Sequence, residues 1–309
     1  MGEHKGIKIF LAALAVFLLA MPVMCVADPK DANLEFSAGW RQDNLNWNIA
    51  GTTSGTDPDI LSELKWTGLQ TAYLKAALTT TIYKEAYLRT HYGYGVVYDG
   101  DNRDSDYLGD GRTIEYSRSI NNAGKGFVED ASAGVGYRFY PFPGLRAFWV
   151  GPAVGYSYNR QELHITDGFQ AIPLEGPFAG LDSSYDAQWI GPWAGIDFLL
   201  STGRFSASGF FEYHAASYEA TADWNLRDDF MHPGSFDHTA DGKGIVAGLQ
   251  GDFALRKHLS LSASMGLKDF TTGHGIDRTY FTDDTSVDTR LNEVNWDAFD
   301  IMLGIKYVH

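Results

Sequence analysis

The chain has 309 residues, with 24 Lys and Arg against 39 Asp and Glu for a formal net charge of −15, and it is 14% aromatic with 34 glycines. An acidic balance of this size argues against nucleic acid as a partner, and a single cysteine, Cys25, excludes a small disulfide-stapled scaffold. The length allows one or two ordinary domains or a single barrel.

Residues 1–27 read as a secretory signal peptide. Lys5 and Lys8 precede an apolar run from Ile9 to Val23, and Cys25-Val26-Ala27 occupies the positions that a signal peptidase reads. The run is too short for a transmembrane helix of roughly 20 residues, and Met24 stands where a lipoprotein signal has a small residue. Cleavage after Ala27 removes Glu3, Lys5, Lys8 and the only cysteine, leaving 28–309 as one domain.

From Asp28 onward there is no helical period. Segments of alternating character, rich in Tyr, Phe, Trp, Val and Thr, predict strands near 34–49, 61–77, 84–98, 126–140, 145–161, 185–200, 205–221, 243–256, 259–277 and 291–308. Their connections alternate in length. Thr79 to Lys84, Pro141 to Gly144, Ser201 to Arg204 and Arg256 to His258 are tight; 50–60, 99–125, 162–184, 222–242 and 278–290 are long. Short turns at one end and long loops at the other are the pattern of a membrane barrel, with the turns periplasmic and the loops outside. In the ninth segment Leu259, Leu261, Ala263, Met265 and Leu267 alternate with Ser260, Ser262, Ser264 and Lys268, one face for lipid and one for a wet interior.

Tyr92, Tyr94, Trp149, Tyr156, Trp189, Trp193 and Trp296 are candidates for the aromatic girdles. The last segment alternates Phe299, Ile301, Leu303, Ile305 and Tyr307 and resembles the terminal signal of outer-membrane proteins, with His309 in place of the usual final aromatic. The expected fold is therefore all-β, a single ten-stranded antiparallel transmembrane β-barrel after a cleaved signal peptide, placed in a bacterial outer membrane with its loops facing the cell exterior. Ten strands leave an interior filled by side chains rather than an aqueous channel, and Lys75, Arg89, Glu129 and Asp197 are expected to pair inside it.

The stretch DGDNRDSDYLGDGR at 99–112 concentrates five aspartates and three glycines in one expected outer loop. Counted from Asp104 it approximates a calcium loop, but Leu108 stands where an oxygen ligand is required. The histidines are scattered and make no zinc spacing, and no phosphate-cradling glycine loop or nucleophile elbow occurs. No metal or cofactor is expected.

In a ten-stranded barrel this loop lies across the mouth from the one at 222–242. In that setting the chain resembles the omptin family of outer-membrane aspartyl endopeptidases, through SELKW at 62–66, DSDY at 104–107, GYSYNR at 155–160, PWAGI at 192–196 and EYHAASYEATADWN at 212–225. The resemblance implies a catalytic water held between an Asp-x-Asp pair and an Asp-x-His pair. Asp104 and Asp106 match the first pair and Asp223 matches the second aspartate, but Asn225 replaces the histidine.

A carboxamide cannot serve as a general base near neutral pH, whereas imidazole can. His232, in the same loop with Asp228 or Asp229 to orient it, is the substitute that the sequence offers; two carboxylates sharing a proton are another. Thr221 replaces a family acidic residue that selects basic substrates. The resemblance also implies lipopolysaccharide contact, for which Tyr156 and Arg160 match part of a lipid-binding cluster while Tyr158 replaces an acidic member; Glu162 or Asp167 would satisfy Arg160 otherwise. Two functions stand open: an endopeptidase with an altered site acting on a peptide substrate, and a catalytically silent barrel serving as adhesin, binding module or structural protein. The oligomeric state is not legible.

Overall fold

The computed structural model describes residues 32–142 and 147–308; the expected signal peptide and part of the Pro141–Gly144 turn lie outside the described residues. The strands are β1 (Asn33–Ile49), β2 (Ser62–Tyr83), β3 (Ala86–Gly109), β4 (Thr113–Asn122), β5 (Gly126–Tyr137), β6 (Phe148–Ile172), β7 (Gly176–Pro177), β8 (Asp182–Thr202), β9 (Phe205–Asp223), β10 (Phe236–Arg256), β11 (Leu259–Thr272), β12 (Gly275–Tyr280) and β13 (Ser286–Val308). β4 and β5 are two pieces of one strand, since both pair with β3 and β6, and β11 and β12 are two pieces of another between β10 and β13. β1 pairs with β2 on one side and β13 on the other, from Asn33↔Val308 to Ile49↔Leu291, so an antiparallel ring of ten strands closes without an edge.

The ring strands are longer than the sequence predicts. β3 runs on through Asp104 and Asp106 to Gly109, and β6 continues to Ile172, through segments expected to be loops. The reason lies in which face each row of side chains presents. On β1 the outward row begins Leu34, Phe36, Ala38, Trp40 and then turns to Gln42, Asn44 and Asn46; the inward row begins Glu35, Ser37, Arg41, Asp43 and then turns to Leu45 and Trp47. β13 mirrors it, with Tyr307, Ile305, Leu303, Ile301 and Phe299 outward before Asp297, Asn295 and Glu293.

β9 does the same, with Phe211 and Tyr213 outward before Ser217, Glu219 and Thr221, while inward Glu212 and His214 give way to Ala216, Tyr218, Ala220 and Ala222. Toward the turn end the barrel is apolar outside and polar inside, as lipid requires. Toward the loop end it is polar outside and apolar inside, as in a water-soluble barrel. A tilted strand needs only about ten residues to cross hydrocarbon, whereas β2, β3, β6 and β13 have 22 to 25. The surplus stands beyond the apolar band.

Most of the buried hydrophobic cluster belongs to that upper half, including Leu45, Trp47, Leu64, Trp66, Tyr185, Trp189, Tyr218, Phe236, Leu291 and Trp296. Below it, a charged layer crosses the lumen. Arg41 pairs with Asp43 at 2.7 Å and with Asp130; Lys268 reaches Asp130 at 2.5 Å and Asn159 at 2.8 Å; Tyr73 donates to Asp130 at 2.6 Å. Arg89 pairs with Asp197 at 2.9 Å and Glu212 at 2.5 Å. Of the four interior charges expected to pair, Arg89 and Asp197 do. Glu129 instead belongs to the outward row of β5, where Tyr92 donates to it at 2.8 Å.

Candidate functional site

On β3 the odd residues Gly93, Gly95 and Val97 face inward below the bulge at Tyr98–Asp99, and the even residues Asn102, Asp104 and Asp106 face inward above it. Tyr98 is the extra residue on β3, between Val97↔Thr71 and Asp99↔Gln70. Just above it Gly68 and Leu69 of β2 stand opposite the single Gly100, whose φ is +150° and where a Cβ would lie 2.7 Å from Leu69 Cδ2 and 3.1 Å from Leu69 Cα. The extra residue switches the parity of the strand. That switch turns both aspartates into the mouth, where Asp104 is flanked by Leu64 and Ser119 and Asp106 by Ser62 and Ser117.

The two carboxylates affect each other. Burial, and after it the charge of Asp106, pushes Asp104 well above the usual carboxylate range, against a hydrogen bond from the Trp224 side chain and the nearby Arg227. Burial also raises Asp106, against hydroxyl hydrogen bonds from Ser62 and Ser117. Asp104 Oδ1 is buried with no hydrogen-bond partner among the described residues.

Asp223 is elsewhere. It ends the outward row Ser217, Glu219, Thr221 of β9 and pairs in register with Ser184, while its inward neighbour Ala222 faces Tyr185. There it meets His232, whose Nδ1 lies 2.5 Å from Asp223 Oδ1 and whose Nε2 lies 3.3 Å from the Arg227 carbonyl. Asp223, rather than Asp228 or Asp229, orients the histidine; Asp229 is held by Arg227 at 2.9 and 2.8 Å. The hydrogen bond to Asp223 raises the His232 pKa. Thr221 is outward too and donates to Asp237 at 2.7 Å.

The inward position opposite the aspartates belongs to Trp224. Its ring packs edge-on to Phe236 at 4.8 Å, and its backbone N–H donates to Ser235 Oγ at 2.8 Å. Asn225 turns away from the mouth. It accepts from the Asp182 N–H and the Ser183 hydroxyl, both at 3.0 Å, and donates to the Gly180 carbonyl at 2.7 Å. The fold therefore brings Asp104 to Asp106, and Asp223 to His232. No hydrogen bond or ion pair joins the two pairs among the described residues.

Tyr156 and Arg160 share the outward row of β6, Tyr156 within the apolar band and Arg160 above it. Arg160 is engaged by Asp186 in a two-pronged pair at 2.8 and 2.8 Å, by Glu162 at 3.0 Å, and by the Phe127 ring at 4.9 Å. Asp186 is the partner that sequence spacing does not reveal. Trp224 is also missed, and its signal is the phase of β9: the alternation that carries Tyr218, Ala220 and Ala222 inward predicts residue 224 inward and 223 outward.

Closed ring, apolar band and terminal strand together define an outer-membrane β-barrel. More narrowly, residues 35–309 match the family model described as Pom, Protochlamydia outer membrane protein, and the chain belongs to that family. No curated protein matches the sequence. Among solved structures, the outer membrane protease OmpT from Escherichia coli superposes with a TM-score of 0.75 at 12% identity, covering 91% of this chain and 98% of that one. The translocator domain of the autotransporter NalP from Neisseria meningitidis aligns at 12% identity over 97% of each chain, with a TM-score of only 0.37. The likeness to OmpT is one of fold, an omptin-like barrel; at 12% identity it extends no further.

Proposed function

We propose that this protein is a surface barrel of omptin architecture without omptin-type proteolysis, its upper half acting outside the cell as a binding or structural element. The observation that carries this reading is Trp224, which fills the inward place across from Asp104 and Asp106 while Asp223 faces outward. A water needs a base within hydrogen-bond reach to be activated. The pair's neighbours are serines, an indole and the already paired Arg227.

Outer-membrane lipid surrounds the apolar band. Lipopolysaccharide contact through Tyr156 and Arg160 is the weaker part of this reading, since a phosphate must compete with Asp186 and Glu162 for the guanidinium.

A specific observation favours the second reading, an endopeptidase with an altered site. Asp223 and His232 form a carboxylate–imidazole pair from residues farther apart than an Asp-x-His motif, and Asp104 and Asp106 are crowded enough to share a proton. The refolded protein, incubated with lipopolysaccharide and a broad peptide library beside Asp104→Ala, Asp106→Ala and His232→Ala, separates the two. No cleavage by any of them is expected. Cleavage by the parent protein that both aspartate variants lose would overturn the silent reading.

A further inference from the structure

Above the charged layer, four buried polar side chains form one directed chain. Asp277, 2% exposed, accepts from Thr289 Oγ1 at 2.9 Å and lies 3.1 Å from His238 Nε2. A carboxylate there fixes the proton on Nε2 and leaves Nδ1 as an acceptor. His238 Nδ1 lies 2.8 Å from the Tyr185 hydroxyl, so Tyr185 donates to it and in turn accepts from Tyr218 at 2.5 Å. Tyr185 and His238 are both 0% exposed.

Packing alone does not call for this arrangement, because well-packed apolar side chains of similar volume commonly equal or exceed a buried polar network in stability. No substrate reaches it either. Chemistry in a sealed site must arrive as electrons and protons. Packed aromatic rings lead from the mouth to Tyr185: Trp224 to Phe236 at 4.8 Å, Phe236 to Trp47 at 5.8 Å and Trp47 to Tyr185 at 6.0 Å between centroids, with Trp66 a further 5.2 Å neighbour. Burial pushes the Tyr185 phenol well above its ordinary range, so its proton stays in place until an electron leaves.

We propose that Tyr185 is a redox-active tyrosine, oxidised from the mouth through Trp224 and Trp47 with His238 as its proton acceptor. An oxygen-centred radical such as a peroxyl takes one electron and a proton from water, becoming a hydroperoxide and leaving hydroxide in the solvent. The hole passes to Tyr185, whose O–H bond breaks as an N–H bond forms at His238 Nδ1. Trp224 and Trp47 return to their starting state. The products in the protein are a neutral phenoxyl radical, hydrogen-bonded by Tyr218, and an imidazolium held against Asp277.

The experiment is one-electron photo-oxidation of the refolded chain with a ruthenium tris-bipyridine sensitiser and persulfate, read by electron paramagnetic resonance in H2O and D2O. A tyrosyl signal is expected in the parent protein, slower to form in D2O, lost in Tyr185→Phe and diminished in Asp277→Asn. An unchanged tyrosyl signal in a folded Tyr185→Phe, or the absence of a tyrosyl signal in the parent, overturns the proposal. Should Tyr185→Phe not fold, the near-isosteric Asp277→Asn and the solvent comparison decide: no change in either refutes His238 as the acceptor.

Discussion

The reversal of inside and outside partway up the barrel predicts that one chemical change has two different costs on a single row of one strand. Leu303, 65% exposed, lies in the middle of the apolar row of β13 with Ala38 and Ala263 beside it, and Asn295 lies on the same outward row beyond the band, beside Asn46 and Thr271. Leu303→Lys puts an ammonium near the bilayer midplane, which costs about 2–4 kcal/mol in outer-membrane barrels. That weakens folding about 30- to 700-fold, at tenfold per 1.4 kcal/mol. Asn295→Lys meets water and gives up part-exposed hydrogen bonds with Thr271 at 2.8 Å and Asn46 at 3.3 Å, so it should cost only about 1 kcal/mol. Urea unfolding in phospholipid vesicles, followed by tryptophan fluorescence, measures both. Equal costs at the two positions would refute the reversal, and with it the claim that the loop end stands clear of lipid.

Three further outcomes follow from the site. Asn225→His breaks three hydrogen bonds to the Gly180–Ser183 segment and should destabilise the loop end by about 1–3 kcal/mol without creating peptidase activity, because the new imidazole points away from Asp104; urea midpoints and a peptide digest check both parts. His232 gains affinity for its proton from Asp223, so its contribution to holding the loop is complete below the unfolded value of about 6.5 and fades as pH rises through the higher folded value; proteolytic nicking near 226–234 should increase over that rise, and Asp223→Asn should abolish the dependence. Asp104 is raised rather than lowered, so its ionisation opposes folding above the unfolded carboxylate range; Asp104→Asn should raise the unfolding midpoint at neutral pH and leave it nearly unchanged in acid, and a fall at neutral pH would contradict the crowding of the pair.

The ring of ten strands is legible in the sequence because lipid-facing alternation and turn spacing are local signals, as in Leu259 to Lys268. The upper half is not, because a strand that is polar outside and apolar inside uses the same residue types as a loop between hydrophobic anchors, as in Glu162 to Ile165. Within β9 the change of phase is nonetheless present: Tyr213 is apolar and outward, Glu219 polar and outward, and the switch falls at Ala215-Ala216. Following that phase separates Asp223 from Asp104; matching motif positions by spacing does not. The Asp223–His232 contact could not be derived, since it depends on the path of an irregular segment that no periodicity constrains.

Filling the upper half with aromatic side chains leaves one wall that does not conform. Asn102, Asp104 and Asp106 on β3, with Ser117, Ser119 and Asn121 on β4, present an unbroken run of polar groups inward, whereas the other strands present mostly Leu, Trp, Tyr, Phe, Val or Ala there and their His238, Asp277 and Thr289 belong to the buried chain at Tyr185. The bulge at Tyr98–Asp99 accounts for this. Without its extra residue, the parity set by Gly93, Gly95 and Val97 would turn Asp101, Arg103 and Ser105 inward and both aspartates to the outer face, away from the mouth. The chain thus carries a backbone irregularity whose effect is to bury two like charges side by side, an arrangement that opposes stability. Crowded, buried carboxylates of this kind are characteristic of sites kept for use rather than for packing. Under the function proposed above, in which Trp224 rather than a base stands across from the pair, that use is binding rather than hydrolysis.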